Sequence, residues 1–424
     1  MPRATTGDPE AAGAAALDAL HPGGALGLAV SGGGDSAALM RIAAGWAQAR
    51  GVGLRAACVD HGLRPEAAEE AAQVAALAAS LGIPCDTLRW RGWDGRGNLQ
   101  AAARSARSAL LSAWAAEHGL SAVALGHTLD DQAETVLMRI ARGAGVDGLS
   151  GMAPASGRDG ALWLRPLLGL RRAALREWLA RRSATWIEDP SNDDPRFERV
   201  RVRAAMTALE AAGVSADALA AVADRMQAAR GALDARAASL WSQASRVGPC
   251  GDVALSRAAL ADAPEEIGRR LLARALRRAG GAWTPRPRAA ALGALLDAAR
   301  SGALGRGRTL AGCVAFDAAD AVIFAREHAA AARARAEADL WDGRWRVRTD
   351  APGAVAALGE AGEAALMAAA RAEGWRAPQA WRAAPRAARL STPALWRGEA
   401  LACAPLAGYG DGLMAVAYQP DVAS

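Results

Sequence analysis

Lysine is missing altogether: all 50 residues counted as Lys+Arg in the 424-residue chain are arginine. Without an ε-ammonium there is no Schiff base, no PLP anchor and no G-x-x-x-x-G-K-[ST] phosphate loop. Aromatics are scarce, at 4% of residues. The five cysteines, at positions 58, 85, 250, 313 and 403, stand far apart. With no C-x-x-C pair, a zinc ribbon or a local iron–sulfur motif is disfavoured. The odd, dispersed set fits reduced thiols, so a cytoplasmic location is expected. No run of about 18 uncharged apolar residues occurs, which argues against a membrane span. Asp8, Glu10 and Asp18 precede the first apolar run, Leu26 to Val30. A secretory leader would have a basic start and a longer apolar core, so none is expected.

What remains is a mildly basic chain, net charge +6, whose cations are all planar forks suited to phosphates. The length suggests two or three domains. The first half alternates short apolar runs with helical stretches. Strands are predicted at Ala25 to Val30, Leu54 to Val59, Cys85 to Trp90 and Ser121 to Leu125. Helices are predicted at Ala37 to Gln48, Pro65 to Leu81, Asn98 to Glu117 and Leu129 to Arg142, with Asn98 as a cap. This alternation predicts a doubly wound, mostly parallel α/β sheet. Gly145 to Gly160 reads as irregular, Leu162 to Leu168 as a further strand and Leu170 to Arg182 as a basic helix. Residues 189–195 read as a loop, and Phe197 to Ser245 as mostly helical. The remainder reads as helical and basic, with two short strands around Asp317. Residues 371–397 hold six Arg against one acid, Glu373. The expected domains are 20–215, catalytic, 216–330, helical and nucleic-acid-binding, and 331–424, small and C-terminal.

The strongest chemical signal is Ser31-Gly32-Gly33-Gly34-Asp35-Ser36, between a strand and a helix. Consecutive glycines let the backbone approach an anion, and helix amides with the helix dipole favour negative charge. The Ser31 and Ser36 hydroxyls can donate to phosphate oxygens, and Asp35 can hold Mg²⁺ bound to them. A second constellation, Asp60-His61-Gly62-Leu63-Arg64, closes the second strand, at the carboxyl edge where open α/β sheets bind ligands. A third, Gly126-His127-Thr128-Leu129-Asp130-Asp131-Gln132-Ala133-Glu134-Thr135, closes the fourth strand and opens a helix. There Asp131 and Glu134 stand at i,i+3, so both carboxylates can face one site. The competing reading is structural: Thr128 with Asp131 makes a capping box.

Together these motifs resemble the N-type ATP pyrophosphatases, the PP-loop or adenine-nucleotide α-hydrolase-like superfamily, through its SGGxDS loop. They most closely resemble its tRNA(Ile)-lysidine synthetase family. The resemblance adds Arg139-Ile140-Ala141-Arg142-Gly143-Ala144-Gly145, Gly148-Leu149-Ser150-Gly151-Met152, Arg165-Pro166-Leu167-Leu168 and Trp186-Ile187-Glu188-Asp189-Pro190-Ser191-Asn192. It spans about residues 25 to 205. Two positions depart from the family pattern. Arg199-Val200-Arg201-Val202-Arg203 has Val200 where an Asn is usual, and Arg107 is followed by Ser108 rather than Tyr.

The resemblance implies ligation of free L-lysine to C2 of the wobble cytidine of tRNA(Ile), through an adenylated base, with ATP and Mg²⁺. In that chemistry the loop 31–36 holds the leaving phosphates, and Asp35 places the metal. Asp131 and Glu134 orient or deprotonate the lysine ammonium, and Asp60 and His61 line the ATP site. His127, Arg139, Arg142, Arg199, Arg201 and Arg203 are candidate contacts to tRNA or AMP. Two other readings stay open, a PP-loop tRNA 2-thiolation enzyme and a non-catalytic RNA-binding protein. Neither a monomer nor a homodimer is favoured.

Overall fold

The computed structural model describes residues 7–62, 67–93, 97–158, 160–188, 196, 198–337, 339–410 and 414–419. Leu63, Arg64, residues 189–195 and Phe197 lie outside them. The chain divides into two compact units, residues 1–230 and 231–424.

The first unit runs α1 (Pro9–Leu20), β1 (Leu26–Ala29), α2 (Gly34–Arg50), β2 (Leu54–Asp60), α3 (Ala67–Ser80), β3 (Cys85–Arg89), α4 (Leu99–Glu117), β4 (Ala122–Leu125) and α5 (Leu129–Ile140). It continues through α6 (Val146–Leu149), β5 (Ala155–Arg158), β6 (Ala161–Leu164), α7 (Arg172–Ala180), α8 (Glu198–Ala211) and the start of α9 (Ala216–Ala244). The six strands form one sheet in the order β3-β2-β1-β4-β6-β5, parallel except for β5. The stretch expected to be irregular therefore supplies a short helix and the antiparallel edge strand. The Asn98 side chain accepts from the Ala101 N–H and caps α4 as expected.

All four residues of β1 are buried, as expected of a central strand covered on both faces. Helix α2 is buried along most of its length, from Gly34 to Ala47. Their core joins Leu26, Leu28, Leu39, Met40, Ile42 and Trp46 to Leu167, Leu175 and Trp178 of the segment around α7. Strands β2 and β3 lie to one side of β1, and β4 and β6 to the other. The chain thus reverses its winding between β1 and β4, and a crevice opens at their carboxyl ends.

The second unit opens with the end of α9, then β7 (Ser245–Val247), β8 (Val253–Ser256), α10 (Arg257–Asp262), α11 (Glu265–Gly280), α12 (Ala289–Ser301), β9 (Arg308–Leu310), β10 (Cys313–Asp317) and β11 (Ala321–Arg326). The two strands expected around Asp317 are β10 and β11. Their antiparallel sheet, β7-β8-β11-β10-β9, packs on the buried Leu271, Leu272 and Leu276 of α11. Two smaller antiparallel sheets and further short helices follow. The helices expected in this half are joined by strands only two to six residues long. Periodicity carries little signal over such lengths in Ala/Arg-rich sequence. Several of its arginines support the core: Arg344 and Arg326 both pair with the fully buried Asp342, and Arg386 and Arg389 with the buried Glu363.

Candidate active site

The glycine loop turns sharply because Gly32 holds φ +85°, a left-handed value that favours glycine. A Cβ there would also sit 2.3 Å from Ile187 Cδ1, and the Ile187 N–H donates to the Gly32 carbonyl at 3.0 Å. The Trp186–Ile187 segment therefore closes over the loop. The Ser36 hydroxyl donates to the Gly33 carbonyl at 2.8 Å and accepts from the Ser31 N–H at 3.3 Å. Helix α2 starts at Gly34, so its first-turn amides face the crevice with Asp35 beside them. Gly126, at the end of β4, lies against this turn. A Cβ on it would come within 3.1 Å of the Asp35 and Ser36 backbone.

Across the crevice, α5 begins with a complete capping box. Asp131 Oδ2 accepts from the Thr128 N–H at 2.8 Å and from its hydroxyl at 2.9 Å. The structural reading of Thr128–Asp131 is thus correct, and it uses only one oxygen. Asp131 Oδ1 faces Arg172 Nη2 at 3.1 Å and Arg199 Nη2 at 3.6 Å. Glu134, one turn on, faces Arg203 Nε at 2.6 Å, Arg199 Nε at 3.2 Å and Arg172 Nη1 at 3.4 Å. Arg172 also donates to Asp35 Oδ2 at 2.8 Å. One guanidinium at the start of α7 thereby joins the glycine loop to both carboxylates of α5.

A cavity of about 530 Å³ has Ser31, Gly33, Gly34, Asp35, Ser36, Arg107, His127, Asp131, Arg172 and Arg203 on its wall. That size suits a nucleotide. Burial raises the Asp35 pKa, with Arg172 opposing it. Its Oδ1 is buried with no hydrogen-bond partner among the described residues. Burial would also raise that of Asp131, but Arg172, Arg199 and the Thr128 N–H outweigh it and hold the group below the usual carboxylate range. Burial pushes His127 down to about 4, so its ring is neutral at physiological pH. Desolvation lowers the Arg107 pKa without removing its charge.

A family model described as a PP-loop domain matches residues 13–210. A tRNA(Ile)-lysidine synthase from Ruegeria pomeroyi is 44% identical over 390 residues, covering 91% of this chain and 90% of that protein. The chain belongs to the tRNA(Ile)-lysidine synthase family. A synthase from a Bradyrhizobium species is 45% identical over 268 residues, covering 61% of this chain and 75% of that one. Among solved structures, the U34-tRNA thiolase NcsA from Methanococcus maripaludis overlays with a TM-score of 0.45 at 17% identity, over 51% of this chain and 77% of that one.

The other residues singled out from the sequence fall in different places. Asp60 and His61 stand at the end of β2 and are not among the cavity's lining residues. Asp60 accepts from the Gly62 N–H at 2.8 Å. Arg139 donates to the carbonyls of Gly148 and Gly151, at 2.6 and 2.9 Å, and so holds the Gly148–Met152 segment onto α5. Arg142 forms an exposed pair with Glu198, and the exposed Arg201 donates to the Arg196 carbonyl. Arg199 and Arg203, one turn apart on α8, both reach Glu134. Sequence reading missed Arg172 as a site residue, because it lies within a run of basic residues with no motif of its own. It likewise gave Arg107 no role. All five cysteines are free, and Cys58 lies buried in β2, where burial pushes its thiol up to about 11.

Proposed function

We propose that this chain joins free L-lysine to C2 of the wobble cytidine of tRNA(Ile), consuming ATP and releasing AMP and diphosphate. The observation that carries this reading is the Arg172 link, which joins the anion-binding loop to Asp131 on the same cavity wall and to Glu134 one turn further along α5. A thiolation enzyme could share the loop. Two carboxylates set beside it suit an amine nucleophile.

The cytidine O2 attacks the α-phosphorus of ATP, and diphosphate leaves. The lysine ε-amine then attacks C2, and AMP leaves with the oxygen. In the first step the loop amides, the Ser31 and Ser36 hydroxyls and Arg107 stabilise charge building on the phosphates. The arriving triphosphate competes with Asp35, Asp131 and Glu134 for Arg172. As that guanidinium turns to phosphate, the carboxylates of α5 gain a free face for the lysine ammonium. One of them then accepts its proton, because only the neutral amine attacks. A smaller cavity of about 160 Å³, lined in part by Asp130, Glu134, Arg172, Arg203 and Glu210, offers space for the amino acid beside this pair.

Mg²⁺ fits one position. Asp35 Oδ1, without a hydrogen-bond partner among the described residues, is a hard oxygen ligand at the phosphate loop. No cluster of three or more His, Cys, Asp or Glu able to hold a metal occurs among the described residues, so phosphate oxygens and water would complete the shell. Bound there, the ion would neutralise charge on the leaving phosphates. We assign the second unit, with the exposed part of its Arg-rich surface, to gripping the tRNA backbone. No single helix among the described residues is long and apolar enough to cross a membrane.

The test is mass spectrometry of the anticodon nucleoside after incubation with tRNA(Ile), ATP and isotope-labelled lysine. Label in the wobble nucleoside is expected. Exchange of oxygen for sulfur at C2 in the presence of a sulfur donor, or an unmodified nucleoside, would overturn the assignment.

A further inference from the structure

Strands β2 and β3 end in a cluster that the proposed reaction leaves unused. They pair in parallel with Asp60 opposite Arg89, and the Trp90 N–H donates to the Asp60 carbonyl at 2.8 Å. The Trp90 indole meets His61 edge-on, with ring centroids 5.9 Å apart and planes at 86°. His61 is buried at Nδ1, where it has no hydrogen-bond partner among the described residues, and burial and Arg107 lower its pKa against the opposing pull of Asp60. Arg89 keeps 65% of its side chain in solvent, 3.9 Å from Asp60. Beyond Trp90 the chain presents Arg91, Gly92 and Trp93 to solvent. The Trp93 indole is 42% exposed and belongs to none of the buried clusters of the first unit. In a chain that is 4% aromatic, two indoles within four residues, alternating with guanidiniums, are a local concentration.

We propose that Trp93, with Trp90, Arg89 and Arg91, is a stacking platform for unpaired anticodon-loop nucleotides flanking the base under modification. The inference rests on the reaction proposed above and deepens it. Three physical points support it. An exposed indole loses by facing water and gains by covering the π-face of any unstacked base, whatever its sequence. The adjacent guanidiniums complement the phosphates between such bases and can stack on them. The location also fits: β2 and β3 run parallel to β1, so the platform lies on the same carboxyl edge of the sheet as the glycine loop. Arg107, on the cavity wall, lies close enough to bear on both His61 and His127. A single-stranded loop delivering its wobble base to the cavity would run along this edge.

The test uses the full chain with Trp93→Ala, Trp93→Phe and Arg91→Ala. Binding of an anticodon stem-loop RNA is followed by fluorescence anisotropy, and the KM for tRNA is compared with that for ATP. Trp93→Ala is expected to raise the RNA Kd and the tRNA KM by roughly 5- to 150-fold, the range measured for loss of one stacked base. The KM for ATP should not move, and Trp93→Phe should recover most of the affinity. Abasic sites beside the wobble position should weaken binding by the wild type but not further weaken binding by Trp93→Ala. Arg91→Ala should flatten the salt dependence of RNA binding. If the wild type forms lysidine and Trp93→Ala matches it in RNA affinity and tRNA KM, the platform is wrong and the reaction stands. If the wild type neither binds the loop nor forms lysidine, both fail. A change in sedimentation on Trp93→Ala, with RNA affinity intact, would mark the patch as a contact between copies of the chain and also overturn the proposal.

Discussion

Asp35 accepts from Arg172 at one oxygen, and the other has no hydrogen-bond partner among the described residues. Its raised pKa means that the folded chain holds the proton more tightly than the unfolded chain does. Ionised Asp35 therefore costs stability at pH values above its folded pKa. Asp35→Asn is expected to leave the unfolding free energy at neutral pH unchanged or slightly raised, by at most about 1 kcal/mol, as read from denaturant melts. The same variant should lose ATP–diphosphate exchange. Near-normal exchange would remove Asp35 from the chemistry. His127 has the opposite sign. With its folded pKa near 4 against the usual 6.5, the unfolded chain takes up its proton first as pH falls. Stability attached to this ring is intact above about pH 6.5 and is lost progressively down to about pH 4. Differential scanning calorimetry of His127→Gln across that window should give a flatter pH profile than wild type, by about 1–3 kcal/mol. Parallel profiles would refute the neutral-ring assignment. Both side chains stood out in the sequence because they sit in short motifs at strand ends. Arg172 did not, since an arginine in an arginine-rich run carries no sign of the three carboxylates that surround it.

Helix α5 merges structure and chemistry in one residue. Asp131 caps the helix with Oδ2 and faces the guanidiniums with Oδ1. The capping-box reading and the paired-carboxylate reading of GHTLDDQAET compete in the sequence, and the two oxygens of Asp131 accommodate both. Thr128→Ala should lose about 1 kcal/mol of stability for the cap. It should also slow turnover at saturating ATP, because Oδ1 is no longer aimed. A stability loss with unchanged kcat would make the cap purely structural. Helix α9 makes a different point. Its first turns bury Ala216, Leu219, Ala220 and Ala223 against Leu129, Ala133 and Val136 of α5, and Gln227 donates to the Ser150 and Met152 carbonyls. A chain ended at Ser215 uncovers that face and should unfold more readily by about 3 kcal/mol than one ended at Arg230. Circular dichroism melts of the two would measure it, and coincident melts would show that α9 does not support the catalytic helix.

At the scale of the whole molecule, the 1–230 piece is expected to keep ATP-dependent exchange on free nucleoside or short RNA while losing tRNA affinity. Its plot of log Kd against log salt should be shallower than that of the full chain, reflecting fewer phosphate contacts. An unchanged slope would locate tRNA binding in the first unit alone. The amino-acid order was enough to specify the parallel α/β sheet, the glycine loop, the two strand-end motifs and the family, because these depend on neighbours close in sequence. A short apolar run, a glycine turn and a capping box are each set by neighbours close in sequence. Tertiary structure alone decided which charges meet. Arg172 reaches Asp35 across 137 positions and Arg203 reaches Glu134 across 69, so no local pattern encodes either pair. Packing between elements also turned Arg139 onto the carbonyls of Gly148 and Gly151, 9 and 12 positions on, and left Asp60 and His61 beside Trp90 rather than on the cavity wall. A guanidinium takes whichever oxygen the fold brings within reach, and only the folded chain determines which one that is.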